Sequence, residues 1–193
     1  MLRPFYDWTL RVSGHRHSER WLAAVAFIES SVFPIPPDVM LVPMILADRT
    51  RAWRLALIAT VGSVLGGLAG YAIGLFFFEA IGQPVLEFYG KADKFDEFAE
   101  MYNAWGAWVV FGAGVTPFPY KVITIASGLT QLDVMIFVVA SVLSRGLRFF
   151  MVAGLLWYFG PPVRRLLEKH FGLITVVFFV LLLGGFAALK WLF

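Results

Sequence analysis

The sequence contains no cysteine and little charge. The absence of cysteine from its 193 residues excludes disulfide bonds, thiolate metal sites and thiol nucleophiles. Charged residues make up 15% and hydrophobic residues 60% of the chain, and the mean hydropathy is +0.77. This composition excludes a soluble globular domain and indicates an integral membrane protein. No nucleic-acid-binding motif occurs, so we expect no nucleic-acid partner. No secretory signal peptide precedes the first apolar segment, so we expect a mature chain.

Prolines and carboxylates interrupt the first apolar stretch. Residues 27–43 read FIESSVFPIPPDVMLVP. Each proline removes a backbone donor and disfavours helix at the preceding residue, so the chain has to turn here. The arms beside the turn, residues 22–33 and 39–47, each cover about half of a ~30 Å hydrocarbon core. We therefore predict a re-entrant hairpin over residues 21–47, broken at Pro34, Pro36 and Pro37.

A second broken segment repeats this pattern later in the chain. An apolar arm is followed by the breaker TPFPYK at residues 116–121. The last five residues of this breaker align position by position with residues 34–38, so that Lys121 corresponds to Asp38. We predict a second re-entrant hairpin over residues 105–128, broken at Pro117 and Pro119 and closed by a helix stop at Gly128.

The remaining segments complete an all-α membrane protein. Basic and apolar side chains mix in residues 1–20, which predicts an interfacial amphipathic helix. The acidic residues 79–104 predict a loop carrying an amphipathic helix. Transmembrane helices are predicted over residues 55–78, 131–159 and 171–192, and a capping box at 130–133 opens the second of them. Glycines recur every fourth residue in the first, which favours close helix packing: Gly62, Gly66, Gly70 and Gly74.

Basic residues are distributed unevenly between the predicted loops. If both hairpins return to the side from which they enter, most basic residues outside the membrane share one face, which the positive-inside rule assigns to the cytoplasm. These are Arg3, Arg11, Arg16, Arg20, Arg49, Arg51, Arg54, Arg164, Arg165 and Lys169. The N-terminus is then cytoplasmic, and the two hairpin-plus-helix units, residues 21–78 and 105–159, have inverted topology. Such repeats have their binding site near the midplane, at the broken helices.

Five charged residues are predicted at membrane depth, where a charge facing lipid is costly. They are Glu29, Asp38, Lys121, Arg145 and Arg148. Arg145 and Arg148 share a helix face and could hold a phosphate group through charge-assisted hydrogen bonds. The alternative is a structural ion-pair network with Glu29 and Asp38, and whether these carboxylates exchange protons stays open. Asp38 and Lys121 should approach each other as an ion pair or across a shared cavity.

Groups for metal binding or catalysis are scarce. His15 and His17 would point apart on a helix and have no third ligand nearby, so we predict no metal site. A lipid phosphatase would need a catalytic histidine, but His15, His17 and His170 all lie outside the predicted hairpins. We therefore predict that the protein is not an enzyme and uses no cofactor.

Two motifs resemble those of one membrane protein family. The signature E-x(4)-P-x-P-P-D ends at Asp38, and GVTPFPYKVITIASG occupies residues 114–128. Over residues 20–160 the chain resembles the DedA family, the bacterial branch of the VTT-domain membrane proteins. It is most similar to the subgroup with P-x-P-x-K in the second hairpin. Where the better-known branch has two arginines there, this chain has Val115 and Lys121.

The resemblance implies a function as well as a fold. It implies re-entrant hairpins, an essential acidic pair at Glu29 and Asp38, the bacterial inner membrane, and movement of undecaprenyl phosphate or phospholipid, often linked to the proton motive force. We therefore predict a multi-pass lipid-phosphate or phospholipid flippase in which Lys121, Arg145 and Arg148 bind the headgroup. A proton-coupled antiporter of a small ion or solute and a non-transporting assembly factor remain alternatives. The sequence is also compatible with a homo-oligomer.

Overall fold

The computed structural model describes residues 18–32, 36–88, 90, 92–116, 118–160 and 162. Within these ranges all regular structure is helical, which confirms the predicted all-α class. The α-helices are α1 Ser18–Ser31, α2 Asp38–Ala47, α3 Ala52–Phe77, α4 Gln83–Phe88, α5 Ala92–Val115, α6 Tyr120–Leu129 and α7 Val134–Gly160. Residues 18–20, predicted to end the interfacial helix, form the first turn of α1. The rest of that helix and the predicted crossing at 171–192 lie outside the described residues.

Two of the described helices are long and apolar enough to cross a membrane. One runs without interruption from Arg49 to Phe88 and contains α3, and the other is α7. At ~1.5 Å per residue, α7 is roughly 40 Å long, which exceeds the ~30 Å hydrocarbon core. The crossings predicted at residues 55–78 and 131–159 correspond to these two helices.

The helices α3 and α7 lie antiparallel against each other. The rings of Trp53, in the first turn of α3, and Trp157, near the end of α7, have centroids 6.2 Å apart. Near the other end of α3, the Tyr71 hydroxyl donates to the Leu132 carbonyl oxygen, just before α7 begins, at 2.6 Å. The pair forms the frame against which the shorter helices pack.

Glycines on α3 let α1 and α6 approach its backbone. A Cβ atom at Gly66 would lie 2.1 Å from a carbonyl oxygen of α1, and one at Gly74 would lie 2.1 Å from a carbonyl oxygen of α6. No side chain fits at such distances, so the packing interpretation of the glycine stripe is confirmed. Gly128 serves the same purpose, since a Cβ there would lie 1.9 Å from the Tyr71 carbonyl oxygen. It lies inside α6 and is not the predicted helix stop.

The beginning of α1 lies beside the beginning of α3. Glu19, in the first turn of α1, pairs with Arg51 and Arg54 at the beginning of α3, the latter with an N···O distance of 2.8 Å. The helix α2 ends at Ala47, shortly before these arginines. The beginning of α1 and the end of α2 therefore lie together.

Asp48 closes the first hairpin by capping the short turn Arg49–Arg51 that leads into α3. Its carboxylate accepts hydrogen bonds from the Thr50 hydroxyl at 2.5 Å and from the Thr50 backbone N–H at 3.0 Å. Both bonds favour the ionised form, and chiefly the hydroxyl bond lowers the pKa of Asp48 below its ordinary value. The cap fixes the direction in which α3 begins.

The second hairpin has a longer first arm than predicted. The helix α5 runs unbroken from Ala92 to Val115, so the predicted division between residues 104 and 105 has no counterpart in the backbone. No proline separates the amphipathic part from the apolar part, and the helix simply continues. Asn103 Nδ2 donates to the Thr130 carbonyl oxygen at 2.7 Å. The end of α6 therefore returns to the middle of α5.

The start of α7 also differs from the prediction, because Thr130 does not cap it. The helix begins at Val134, and the Asp133 carboxylate caps it by accepting from the Ile136 N–H at 2.9 Å. The Thr130 hydroxyl donates backwards to the Ala126 carbonyl oxygen at 3.0 Å and so closes α6. Both residues are good capping residues, and the tight turn between the two helices divides them.

Two apolar clusters enclose a polar middle layer. One joins the first hairpin to the first half of α3 and the second half of α7, and includes Leu22, Leu41, Ile45, Leu55, Ala59, Phe149 and Leu156. The other joins the second hairpin to the remaining halves, and includes Tyr71, Val110, Tyr120, Leu132, Phe137 and Ala140. Between them, near the middle of each long helix, lie Ser63 on α3 and Arg145 on α7.

Candidate functional site

Two arginines on α7 bind the two arms of the first hairpin. Their three-residue spacing puts Arg145 and Arg148 on one face of the helix. Arg145 Nη2 lies 2.5 Å from Oε2 of Glu29 on α1. Arg148 Nη2 lies 2.7 Å from Oδ2 of Asp38, the first residue of α2. The structure thus brings together four of the five predicted site residues as two parallel ion pairs.

The Arg145 guanidinium is enclosed on all sides. Its Nε donates to Ser63 Oγ at 2.6 Å. Its Cζ lies 4.7 Å from the centre of the Tyr120 ring and 4.9 Å from that of the Phe149 ring. Only 1% of the residue is exposed. Charge-assisted hydrogen bonds and cation–π contacts offset part of the cost of burying this charge, so Arg145 is a fixed part of the interior.

A network of hydroxyl groups that was not predicted from the sequence surrounds this pair. Ser63 Oγ lies 2.7 Å from Ser30 Oγ, which donates to Glu29 Oε2 at 3.1 Å. On the neighbouring turn of α7, Ser141 accepts a hydrogen bond from the Tyr120 hydroxyl at 2.5 Å. A partial signal was available, since small hydroxyl residues inside long apolar runs need partners when they are buried.

The Arg148–Asp38 pair is more open than the Arg145–Glu29 pair. Its side chains are 17% and 24% exposed. Arg148 Nη1 donates to the carbonyl oxygen of Thr116, which precedes the second break, at 2.8 Å. The Oδ1 atom of Asp38 is buried and has no hydrogen-bond partner among the described residues. A buried acceptor without a donor costs free energy, so this pair is the less well satisfied of the two.

Lys121 does not form the ion pair with Asp38 that the matched positions suggested. Its Nζ donates to the carbonyl oxygen of Val32, just after α1, at 3.0 Å. One turn further along α6, the Thr124 hydroxyl donates to the Ser30 carbonyl oxygen at 3.0 Å. The helix α6 therefore satisfies carbonyl groups at the C-terminal end of α1, where the helix dipole also favours a cation.

These contacts fasten the two breaks together at two points. Arg148 links Asp38, which follows the first break, to Thr116, which precedes the second. Lys121, which follows the second break, bonds to Val32, which precedes the first. In each of these two contacts, a basic side chain connects a residue next to the first break with a residue next to the second.

Prolines precede the helices that follow both breaks. Pro37 is the N-cap of α2 and Pro119 is the N-cap of α6. Pro36 immediately precedes the first of these caps, whereas Pro34 and Pro117 lie outside the described residues. Because proline lacks a donor, it suits a helix start, where the first N–H groups have no partner within the helix. The positive ends of the α2 and α6 dipoles thus lie at the breaks.

The site carries more positive than negative charge. Arg145 and Arg148 each have a carboxylate partner, whereas Lys121 bonds to a carbonyl oxygen and pairs with no carboxylate among the described residues. The described residues contain no group of three or more His, Cys, Asp or Glu that could hold a metal ion. A site in which cations outnumber carboxylates is suited to binding an anion.

A helical bundle with two membrane-length helices and charged residues inside it defines a membrane protein with a polar interior. The VTT-domain family model matches residues 33–158, which is more than half of the chain. The chain therefore belongs to the VTT-domain family, which includes the DedA proteins. The family predicted from the two hairpin motifs is confirmed.

Three proteins illustrate how similar this chain is to its relatives in sequence. An uncharacterized protein of Haemophilus influenzae is 37% identical over 185 residues, which cover 96% of both chains. A Histophilus somni protein described as an HI0703 homolog is 35% identical over 150 residues, or 78% of each chain. The inner membrane protein YqaA of Escherichia coli K12 is 39% identical over 56 residues, which are 29% of this chain and 39% of YqaA. No solved structure matches the chain.

Proposed function

We propose that the protein is a transporter that moves a lipid phosphate or phospholipid between the leaflets of the bacterial inner membrane. The observation that carries this proposal is the surplus positive charge at the two breaks, where Arg148 and Lys121 each make a contact that joins one break to the other and only Arg148 has a carboxylate partner. Charge at membrane depth is costly and usually functional. An anionic headgroup would balance the surplus while its apolar tail stays in the lipid.

The directions of the helices support a re-entrant, inverted arrangement. In the first unit α1 runs parallel to α3, as the contacts of Gly62 with Ala23 and of Gly66 with Phe27 indicate. In the second unit α5 runs parallel to α7 in the same way, and α3 and α7 are antiparallel. Inverted repeats with broken helices are a common transporter plan, in which the substrate binds where the helices are interrupted. We propose that both breaks lie near the midplane and that the N-terminus is cytoplasmic.

The two ion pairs suit different roles. The enclosed Arg145–Glu29 pair holds α1 against α7 and keeps the breaks in position. Arg148 and Lys121, which are partly exposed, contact the headgroup. Glu29 and Asp38 are the two carboxylates of the site, and we propose that the proton motive force acts on transport through them.

Two other functions use the same residues. An antiporter of a small anion would need the same surplus cation but an aqueous route closed to lipid. An assembly factor would need only the structural pair, and the complete enclosure of Arg145 favours that alternative. The alternatives differ in what the reconstituted protein moves, so transport decides between them.

The test is headgroup-specific translocation in proteoliposomes, with and without a pH gradient. Undecaprenyl phosphate and a phospholipid are compared as substrates for the wild type and for folded Glu29→Gln, Asp38→Asn and Arg145→Ala variants. Lys94→Gln, an exposed change on α5, is the matched control. We expect translocation by the wild type and the control and its loss in the site variants. A folded wild-type protein that moves neither lipid would contradict the proposal.

A further inference from the structure

Asp38 uses only part of the hydrogen-bonding capacity of Arg148. It offers Arg148 a single oxygen, Oδ2, at 2.7 Å, while its other oxygen is buried without a donor. A guanidinium and a phosphate or carboxylate can form two parallel hydrogen bonds. The observed pair therefore leaves binding capacity of the Asp38 carboxylate unused. Glu29 also uses one oxygen, Oε2, but that oxygen receives a second hydrogen bond from Ser30, and its other oxygen is not among the buried atoms that lack a partner.

The surroundings of Arg148 are those of an anion site. Its other terminal nitrogen is fixed by the Thr116 carbonyl oxygen at 2.8 Å, so the guanidinium keeps its orientation if the carboxylate leaves. Lys121 makes the other contact that joins the two breaks, and its partner is the neutral Val32 carbonyl. The helices α2 and α6 begin at the two breaks and add the positive ends of their dipoles there. The positive charge and the hydrogen-bond donors here exceed the number needed to bind the single oxygen that Asp38 uses.

We infer that Asp38 is an internal substitute for the substrate's phosphate group. In the substrate-free state its carboxylate holds Arg148, and a phosphate monoester or diester displaces it, binding Arg148 and Lys121 together. The inference rests on the proposed function and assigns the phosphate to Arg148 and Lys121 rather than to the enclosed Arg145. Since the paired state cannot bind the ligand, the apparent affinity equals the intrinsic affinity multiplied by the fraction of molecules in which Asp38 has moved away.

If Asp38 takes the place of the phosphate, its removal should change the phosphate affinity in the direction opposite to the removal of a residue that binds phosphate. Removing the competing carboxylate by Asp38→Asn should strengthen phosphate binding at least tenfold, and Arg148→Gln should weaken it at least tenfold. Lys121→Gln should weaken it severalfold. Asp96→Asn and Lys94→Gln, both on the exposed surface of α5, are matched controls and should leave the affinity unchanged.

The probe is dodecyl phosphate, measured by calorimetry on the full chain in detergent micelles. Inorganic phosphate is added as a competitor. If inorganic phosphate displaces the probe, free phosphate is also a ligand. If the probe stays bound, the site is assigned to a lipid headgroup. Thermal unfolding of each variant verifies its fold. An Asp38→Asn protein that folds and binds the probe no more tightly than the wild type would overturn the inference.

A second measurement does not depend on that variant. Infrared difference spectra of wild-type protein with carbon-13-labelled aspartate should show a change in the carboxylate bands when dodecyl phosphate binds, and Asp96→Asn should retain this change. Unchanged bands on binding would overturn the inference. Translocation by the wild type separates the two proposals. A wild type that translocates the lipid, together with an Asp38→Asn variant that binds the probe no more tightly, contradicts only the role given to Asp38. Tighter binding by Asp38→Asn, together with a wild type that translocates neither lipid, contradicts only the transporter.

Discussion

Replacing Glu29 by glutamine should destabilise the protein far more than replacing Asp38 by asparagine. Glu29→Gln leaves the Arg145 charge, which is 1% exposed, without its counter-ion. Removing one partner of a buried ion pair costs about 3–5 kcal/mol. Asp38→Asn disrupts a pair whose side chains are 17% and 24% exposed, where water can replace the lost partner, so about 1 kcal/mol is expected.

Thermal unfolding in detergent micelles measures this difference. For a chain of this size, 1 kcal/mol shifts the midpoint by roughly 2–4 °C. We expect Glu29→Gln to lower the midpoint by about 10 °C and Asp38→Asn by about 3 °C. The double variant Glu29→Gln with Arg145→Met should regain most of the loss, because it leaves no buried charge. Glu97→Gln, exposed on α5, is the matched control.

Two results would refute this reasoning. A Glu29→Gln midpoint within about 2 °C of the wild type, less than 1 kcal/mol for a chain of this size, would mean that Arg145 does not depend on this carboxylate. A double variant as unstable as the single one would mean that the loss comes from packing and not from an uncompensated charge.

Other perturbations test the frame around the site. Gly66→Ala should destabilise the protein because the new methyl group meets the backbone of α1, whereas Gly112→Ala, with nothing within 4 Å, should leave the unfolding midpoint unchanged; equal shifts would contradict the packing account. By NMR titration the Asp48 carboxylate should have a pKa below the ordinary 3.8, and Thr50→Ala should raise it. Because the folded-state pKa is depressed, the cap contributes stability above the unfolded pKa and loses it as the pH falls through the folded value. A titration midpoint that Thr50→Ala leaves unchanged would contradict the assigned hydrogen bonds.

The backbone breaks and the long helices could be predicted because they depend on local chemistry. Proline acts on its own residue and the one before it, so the interruptions near Pro36 and Pro119 can be read directly from the sequence. Apolar runs of membrane length identify α3 and α7 in the same way. The shared face of Arg145 and Arg148 follows from helical periodicity alone.

The choice of partners could not be predicted, because it depends on how the helices are rotated and pressed together. Alignment of the two repeats matched Asp38 with Lys121 by charge. The glycine contacts of α3 instead bring the start of α6 against the end of α1. Lys121 therefore donates a hydrogen bond to the Val32 carbonyl oxygen. Asp38 is then left facing Arg148. Such a choice is decided by distances of a few ångströms between elements far apart in sequence.

Helix boundaries failed for a related reason. The division expected at residues 104 and 105 rested on a change from polar to apolar composition, but composition alone does not end a helix. The capping residues Thr130 and Asp133 both suited a helix end, and only the turn between α6 and α7 decides that the first closes one helix and the second opens the next.

The central claim is that the cations between the breaks bind the phosphate of a transported lipid. The most direct test is the initial rate at which proteoliposomes translocate a phosphate-bearing lipid, comparing the wild type with a folded variant that carries both Lys121→Gln and Arg148→Gln. We predict that the wild type moves the lipid and that the double variant is at least tenfold slower, while Lys94→Gln retains the wild-type rate. Translocation by the folded double variant at the wild-type rate would contradict the claim.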